Sequence, residues 1–138
     1  MEIRFKEFLI SDDRGKIQPD TVCRLLSSTY WAKDRPRDTI EKSIANSMVF
    51  GVYLDGEQVG FARCITDFSV FYWLADVVID EDYRKMGLGK ALVEAIVTHE
   101  ALKGCLGALK TEDAHRLYNQ YGFKLMTDIF MQKLPDQP

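Results

Sequence analysis

The feature that most constrains the fold is an apolar segment followed by a glycine-rich basic turn and an amphipathic helix. Residues 70–79 are Val-Phe-Tyr-Trp-Leu-Ala-Asp-Val-Val-Ile, a nearly continuous apolar run that predicts a central strand covered on both faces. Beyond the turn, apolar residues recur at helical spacing, at Leu88, Leu92, Ala95 and Ile96. This strand, turn and helix together favour an α/β fold.

The turn itself has the composition of an anion-binding site. The first amides of a helix have no partner within it and lie at the positive end of its dipole, so Gly87 and Gly89 would let a phosphate approach them closely. Arg84, Lys85 and Lys90 add positive charge nearby. The alternative is a tight strand-to-helix turn without a ligand.

Two common glycine motifs do not fit this turn. A dinucleotide fingerprint starting at Gly87 needs glycine at position 92, and a P-loop ending at Lys90 needs serine or threonine at position 91; the residues there are leucine and alanine. What remains is Arg-x-x-Gly-x-Gly at 84–89, directly after a strand. It resembles the acetyl-CoA pyrophosphate signature of the GNAT superfamily of N-acetyltransferases.

A second segment, residues 111–123, resembles the late helix of the same superfamily. Its Ala114, Leu-Tyr at 117–118 and Gly-Phe at 122–123 have counterparts in the family pattern, whereas Thr111 stands where the family usually has asparagine. The apolar residues of this segment share one helical face, and the glycine is placed to end the helix. The resemblance covers essentially the whole chain and implies a single domain over residues 1–138.

The rest of the chain agrees with the fold that the resemblance implies, a mixed, mostly antiparallel sheet of six or seven strands with helices on both faces. Asp55-Gly56 is the strongest hairpin signal. We expect strands at 2–8, 48–54, 58–66 and 70–79, and around 106–110, 123–127 and 129–133. We expect helices to begin at Pro19, after Pro36, at the glycine turn and at Glu112.

The resemblance implies acetyl-CoA as the cofactor, used as a co-substrate. In the family, the central strand and the strand after the pyrophosphate helix splay apart, and the pantetheine arm lies in the gap. The backbone of Val77, Val78 and Ile79 would bind that arm; a closed strand pair would leave no channel. The pyrophosphate would lie against Arg84, Lys85, Met86, Gly87, Leu88, Gly89 and Lys90.

Acetyl transfer to an amine needs a group that removes a proton from the amine and a group that protonates the leaving thiolate. The resemblance implies that Tyr118 protonates the leaving thiolate. The alternative interpretation is that Tyr118 only packs in the core. Asp76 is the candidate base, because it interrupts an uncharged strand. Its burial is costly unless the carboxylate is paired or its pKa rises, and a raised pKa would suit a base that works near neutrality. The alternative for Asp76 is a structural carboxylate bonded to a neighbouring amide or to Arg63. His115 is a weaker rival for the base.

Aromatic residues in the front half of the chain predict the acceptor site. Tyr30, Trp31 and Arg35 lie in a predicted loop, and Phe71 and Trp73 begin the central strand. These residues could line a cleft for a small amine, with cation–π contacts between the amine and the rings. Arg35 could bind a carboxylate of the acceptor. The alternative is a hydrophobic plug that anchors the loop.

Composition excludes several other classes of protein. A net charge of −3, from 18 basic and 21 acidic residues, argues against a nucleic-acid partner. No apolar run is long enough to span a membrane as a helix, and no secretory signal precedes the first strand. Three cysteines without a C-x-x-C pair predict reduced thiols in the cytoplasm, and two histidines without metal-binding spacing give no reason to expect a metal.

We therefore expect a cytoplasmic N-acetyltransferase, monomer or homodimer, that moves an acetyl group directly from acetyl-CoA to the primary amine of a small molecule. Two alternatives stay open. In one, the donor is another acyl-CoA, such as succinyl-CoA or propionyl-CoA, or the acceptor is a protein amino group. In the other, the chain binds CoA as a sensor module without turnover, an alternative to which Thr111 lends some support.

Overall fold

The computed structural model of the protein describes residues 1–136 and contains one six-stranded sheet whose strands follow chain order. The strands are β1 (Glu2–Phe5), β2 (Phe8–Ser11), β3 (Met48–Leu54), β4 (Glu57–Thr66), β5 (Phe71–Ile79) and β6 (Leu106–Ala108). Neighbours pair antiparallel from β1 through β5, whereas β5 and β6 run parallel. The helices are α1 (Pro19–Ser27), α2 (Arg37–Ala45), α3 (Leu88–Val97) and α4 (His115–Asn119).

Helices cover both faces of the sheet, as predicted. On one face, α1 and α2 bury Val22, Leu26 and Ile40 in a cluster with the strand residues Phe61 and Val78. On the other face, the α3 stripe packs on apolar strand residues; its members are Leu88, Leu92, Ala95 and Ile96. Each fully buried leucine or valine side chain stabilises the fold by about 1.5–3 kcal/mol. No helix within residues 1–136 has the length and apolar character needed to cross a membrane.

Two hairpins form at the front of the sheet, and the sequence predicts one of them. Between β3 and β4, Asp55 and Gly56 both have positive φ, 50° and 85°, as the twist of a two-residue hairpin requires. The prediction of one strand over residues 2–8 is wrong, because the chain reverses at Lys6 and β2 pairs back on β1. Lys6 takes a φ of 55° without a glycine or asparagine to mark the turn.

The C-terminal part also differs from the expectation. The strands expected at 123–127 and 129–133 are absent from the described residues, and large apolar side chains there are exposed; examples are Leu125, Met126, Ile129 and Met131. A strand needs backbone partners, and the neighbouring β6 is only three residues long. Phe130 links this segment to the sheet, because its ring stacks on that of Trp73 with the ring centroids 6.0 Å apart.

Helix α4 begins at His115, three residues later than Glu112. The side-chain oxygen of Thr111 accepts a hydrogen bond from the amide of Ala114 at 3.0 Å. This local bond makes residues 111–114 a turn that leads into the helix, since threonine side chains compete with helical hydrogen bonding at such positions. The residue in place of the family's asparagine therefore orders the start of α4.

Candidate active site

The sheet opens between β5 and β6. These strands pair over three residues, Phe71–Trp73 against Leu106–Ala108, and beyond Trp73 no strand in residues 1–136 pairs with β5 on that side. The gap continues into a cavity of about 830 Å³. The cavity is lined by residues 73–79 of β5, the loop at 28–35, the glycine turn, residues 109–114 and α4. Beyond Trp73 the structure therefore has no closed strand pair, which agrees with the channel that the family resemblance implied.

The glycine turn lies at one end of this cavity. Gly87 caps α3 in the left-handed region, at a φ of 86°. The first helical bond runs from the Ala91 amide to the Gly87 carbonyl, so the amides of Leu88, Gly89 and Lys90 have no partner within the helix. A Cβ at Gly89 would contact only Ile79 Cγ1, at 4.0 Å, so the backbone there is open to a ligand.

Most of the predicted donor-binding residues line the cavity. They are Val77, Val78, Ile79, Arg84, Lys85, Gly87, Leu88 and Gly89. Arg84 Nε also donates a hydrogen bond to the Ile79 carbonyl oxygen at 3.1 Å, which ties the turn to the end of β5. Met86 and Lys90 do not line the cavity. Met86 packs against the core and its carbonyl accepts from Lys6 Nζ at 2.9 Å, while the Lys90 side chain is exposed.

Asp76 lies in a bulge of β5. The pairing with β4 shifts by one residue between Phe61 and Arg63, and Asp76 takes a φ of 56°. A positive φ at a residue other than glycine is strained and persists where surrounding contacts hold it. Three contacts do so: Asp76 Oδ2 accepts from Arg63 Nε at 2.7 Å and Arg35 Nη1 at 2.8 Å, and Oδ1 accepts from Trp31 Nε1 at 3.0 Å.

Of the two alternatives for a buried Asp76, pairing or a raised pKa, the structure has pairing. Burial alone would raise its pKa, but the hydrogen bond and charge of Arg63, followed by the charge and hydrogen bond of Arg35, outweigh burial and lower the pKa. A carboxylate with a lowered pKa and three donors on its oxygens is a poor proton acceptor near neutrality. The arginine-bonded alternative therefore describes this residue, and the geometry does not support its assignment as the base.

Tyr118 lines the same cavity from α4. Burial raises its pKa to about 12, and the nearby Asp113 and Tyr30 add to the shift. The hydroxyl is therefore protonated at neutral pH, as a general acid must be before it acts. No hydrogen bond within the described part of the chain engages this hydroxyl, whereas the ring packs edge-on against Phe123 at 5.9 Å.

The structure brings together four of the five predicted acceptor residues. Tyr30, Trp31, Arg35 and Trp73 all line the cavity, and the rings of Tyr30 and Trp31 meet edge-on at 5.1 Å. Phe71 does not line it. Its backbone pairs with Leu106 at the closed end of the strand pair, where the two strands are still in contact.

Sequence reasoning named Arg63 only as an alternative partner of Asp76 and did not place Glu112 or Asp113 in the site, although all three line the cavity. Arg63 joins the site through the bulge, which brings a residue of β4 against Asp76. The two acidic residues precede α4 in the segment that the Thr111 side chain orders. His115, the rival candidate for the base, is exposed and does not line the cavity.

Comparison with known proteins agrees with this geometry. The sequence profile of the acetyltransferase (GNAT) domain matches residues 45–125. A candidate acetyltransferase from Gibberella zeae is 31% identical, over 71% of this chain and 66% of its own length, which is just under two thirds.

Solved structures agree as well. A candidate acetyltransferase of the GNAT family from Xanthomonas campestris is 35% identical, with a TM-score of 0.89 over 96% of both chains. A GNAT family acetyltransferase from Elizabethkingia anophelis, solved with acetyl-CoA bound, shares the fold at 16% identity; its TM-score is 0.67 over 88% of this chain and 79% of its own. The profile match spans more than half of the chain, so this chain belongs to the GNAT family of acetyltransferases.

Proposed function

We propose that this chain is an N-acetyltransferase that moves an acetyl group directly from acetyl-CoA to the primary amine of a small molecule. The observation that carries the proposal is the gap between β5 and β6, which leads from the glycine turn to the aromatic loop within one cavity. A thioester donor needs such a channel, because its long arm must pass from a phosphate site to the reacting carbonyl.

The donor end has groups suited to an anion on a flexible arm. Leu88 and Gly89 offer unpaired amides at the positive end of α3, and Arg84 and Lys85 line the same end of the cavity. Beyond Trp73, β5 has no strand on its β6 side within the described residues, so backbone groups that face that side are available to the arm. These features support acetyl-CoA as the donor for this chain.

The reacting end has one candidate acid, Tyr118, and an acceptor region lined by aromatic side chains. The amine nitrogen attacks the thioester carbonyl carbon, the carbon–sulfur bond breaks, and the Tyr118 hydroxyl gives its proton to the departing sulfur. The nitrogen loses one proton to solvent as the amide forms. The Tyr118 oxygen then takes a proton from solvent through the open mouth of the cavity. Trp31 and Trp73 wall the acceptor region, which favours a small molecule over a protein segment.

The test is release of free thiol from acetyl-CoA in the presence of a panel of small amines, with mass spectrometry of the product. We expect thiol release that depends on an amine and yields its N-acetyl derivative. Propionyl-CoA and succinyl-CoA are assayed in parallel as donors. A chain that binds CoA but releases no thiol with any amine or donor would be a binding module, and faster release from a longer acyl-CoA would reassign the donor.

A further inference from the structure

The acceptor wall of the cavity has an excess of positive charge. Arg35, Arg63 and Asp76 form one cluster, joined at Asp76 Oδ2 by contacts of 2.8 Å and 2.7 Å. The side chains are largely removed from solvent, at 23%, 12% and 2% exposure respectively. Two guanidinium groups share one carboxylate, so the cluster has a net charge of +1. A charge away from water is costly unless it is paired, which makes this wall receptive to an anion.

The hydrogen-bond inventory of the cluster leads to the same conclusion. Asp76 already accepts three bonds, one of them from Trp31, so its capacity is nearly used. Each guanidinium has five N–H donors. Within the described chain, Arg35 uses one bond, to Asp76, while Arg63 uses two, to Asp76 and Ser47. Arg35 therefore retains most of its donors at the cavity wall.

We infer that the acceptor carries a carboxylate beside its amine, and that Arg35 binds this carboxylate. The inference rests on the proposed acetyltransferase function and names its substrate class as amino acids and related aminocarboxylates. A guanidinium edge matches a carboxylate with two parallel N–H to oxygen bonds. Asp76 is a positioning residue in this arrangement, because it holds the guanidinium against the wall without touching the acceptor.

The same charge orients the reacting end of the acceptor. The net positive wall repels an ammonium group, so the amine end of the acceptor is directed away from Arg35. The side of the cavity that leads to α4 is lined by Glu112, Asp113 and Tyr118, so it has carboxylates and the candidate acid.

The experiment compares amino acids with their own primary amides, as matched pairs that differ in the carboxylate. L-phenylalanine, L-leucine and glycine are tested beside phenylalaninamide, leucinamide and glycinamide. Acetylation with acetyl-CoA gives kcat/KM, and protection of the CoA-saturated protein against heat gives binding without turnover. We expect the acid of at least one pair to be preferred by about 10- to 100-fold in both measurements, as for a hydrogen bond to a charged group.

Variants assign that preference to one side chain. Arg35→Gln is expected to abolish the preference for the acid, and Arg35→Lys to restore part of it, because lysine keeps the charge but not the bidentate geometry. Arg37→Gln is the matched control, since Arg37 is exposed and pairs with Asp20 and Glu41 outside the cavity. It should keep the wild-type preference. CoA binding should be unchanged in all three variants.

The outcomes separate this inference from the proposed function. Acetylation of amides or simple amines without preference for the acids would overturn the carboxylate inference and leave the acetyltransferase standing. If acids bound the CoA complex through Arg35 but were not acetylated, the carboxylate inference would be upheld and the proposed acetyltransferase function would be contradicted. Absence of any binding or reaction of the acids would overturn the inference. O-phosphoethanolamine is assayed beside them as an amine that carries a phosphate, and its preference over every acid would also overturn the inference.

Discussion

Trp31 Nε1 donates a hydrogen bond to Asp76 Oδ1 at 3.0 Å, which joins the loop between α1 and α2 to the bulge of β5. The residues are 45 positions apart, and Arg35 of the same loop reaches the other oxygen of this carboxylate. One buried side chain therefore positions the loop that walls the acceptor region. The shape of that region depends on Asp76 even though the residue is not suited to act as a base.

Asp76→Asn should lower the free energy of unfolding by about 2–4 kcal/mol, because it leaves two partly buried guanidinium groups without their carboxylate. Urea unfolding at pH 7 measures the change. Asp20→Asn is the matched control, since Asp20 also pairs with an arginine but is 90% exposed, and its loss should cost at most about 1 kcal/mol. Equal losses in the two variants would contradict the structural role of Asp76.

The pH dependence of unfolding gives a second test of the same residue. The folded pKa of Asp76 lies below its ordinary value of 3.8, so the stability that it contributes is present above that pH and is lost as the pH falls through the folded pKa. Asparagine does not titrate. The stability difference between wild type and Asp76→Asn should therefore be constant from pH 5 to 8 and shrink below about pH 4. A difference that instead fell as the pH rose through neutrality would indicate a raised pKa.

Local patterns in the sequence predict the strand, the turn and the helix of the donor site, because each depends on neighbours along the chain. The continuous apolar run gives β5, and the glycine pair gives the start of α3. The Asp76 cluster depends instead on sheet register and on one bulge, which bring Arg63 against the carboxylate. Neither feature has a local signature, so the direction of the pKa shift could not be predicted from the strand alone.

The misplaced elements have a similar origin. The turn at Lys6 is stabilised from a distance, since Lys6 Nζ donates to the Met86 carbonyl, 80 positions away. The apolar residues after Gly122 predict strands, yet no strand in the described residues pairs with them. Periodicity indicates which side chains suit a strand, whereas the presence of a pairing edge decides whether the strand forms.

Gly89→Glu should abolish the protection that CoA gives against heat. Gly89 has an ordinary φ and its added Cβ would meet only Ile79, so the variant is expected to fold, but its carboxylate would occupy the phosphate end of the cavity. For wild type, CoA at ~100 times its dissociation constant should add about 2.7 kcal/mol to the free energy of unfolding. Thermal melts with and without CoA measure both effects.

Gly104→Glu provides the control for this variant. It introduces the same side chain at a glycine that has open space around it and does not line the cavity. Its melting temperature should rise with CoA as in the wild type. A wild-type melting temperature that saturating CoA or acetyl-CoA does not change would argue against a phosphate site at the glycine turn.

Tyr118→Phe removes one oxygen and keeps the ring that packs on Phe123. If the hydroxyl protonates the departing sulfur, kcat should fall about 10²- to 10⁴-fold while affinity for CoA stays near the wild-type value. Because its pKa is about 12, Tyr118 stays protonated, so its titration should impose no loss of wild-type activity between pH 7 and 10. Steady-state kinetics and CoA titrations of both proteins test this.

Tyr121→Phe is the control, because Tyr121 does not line the cavity, and it should keep full activity. A stable Tyr118→Phe protein that binds CoA and turns over at nearly the wild-type rate would exclude the acid role.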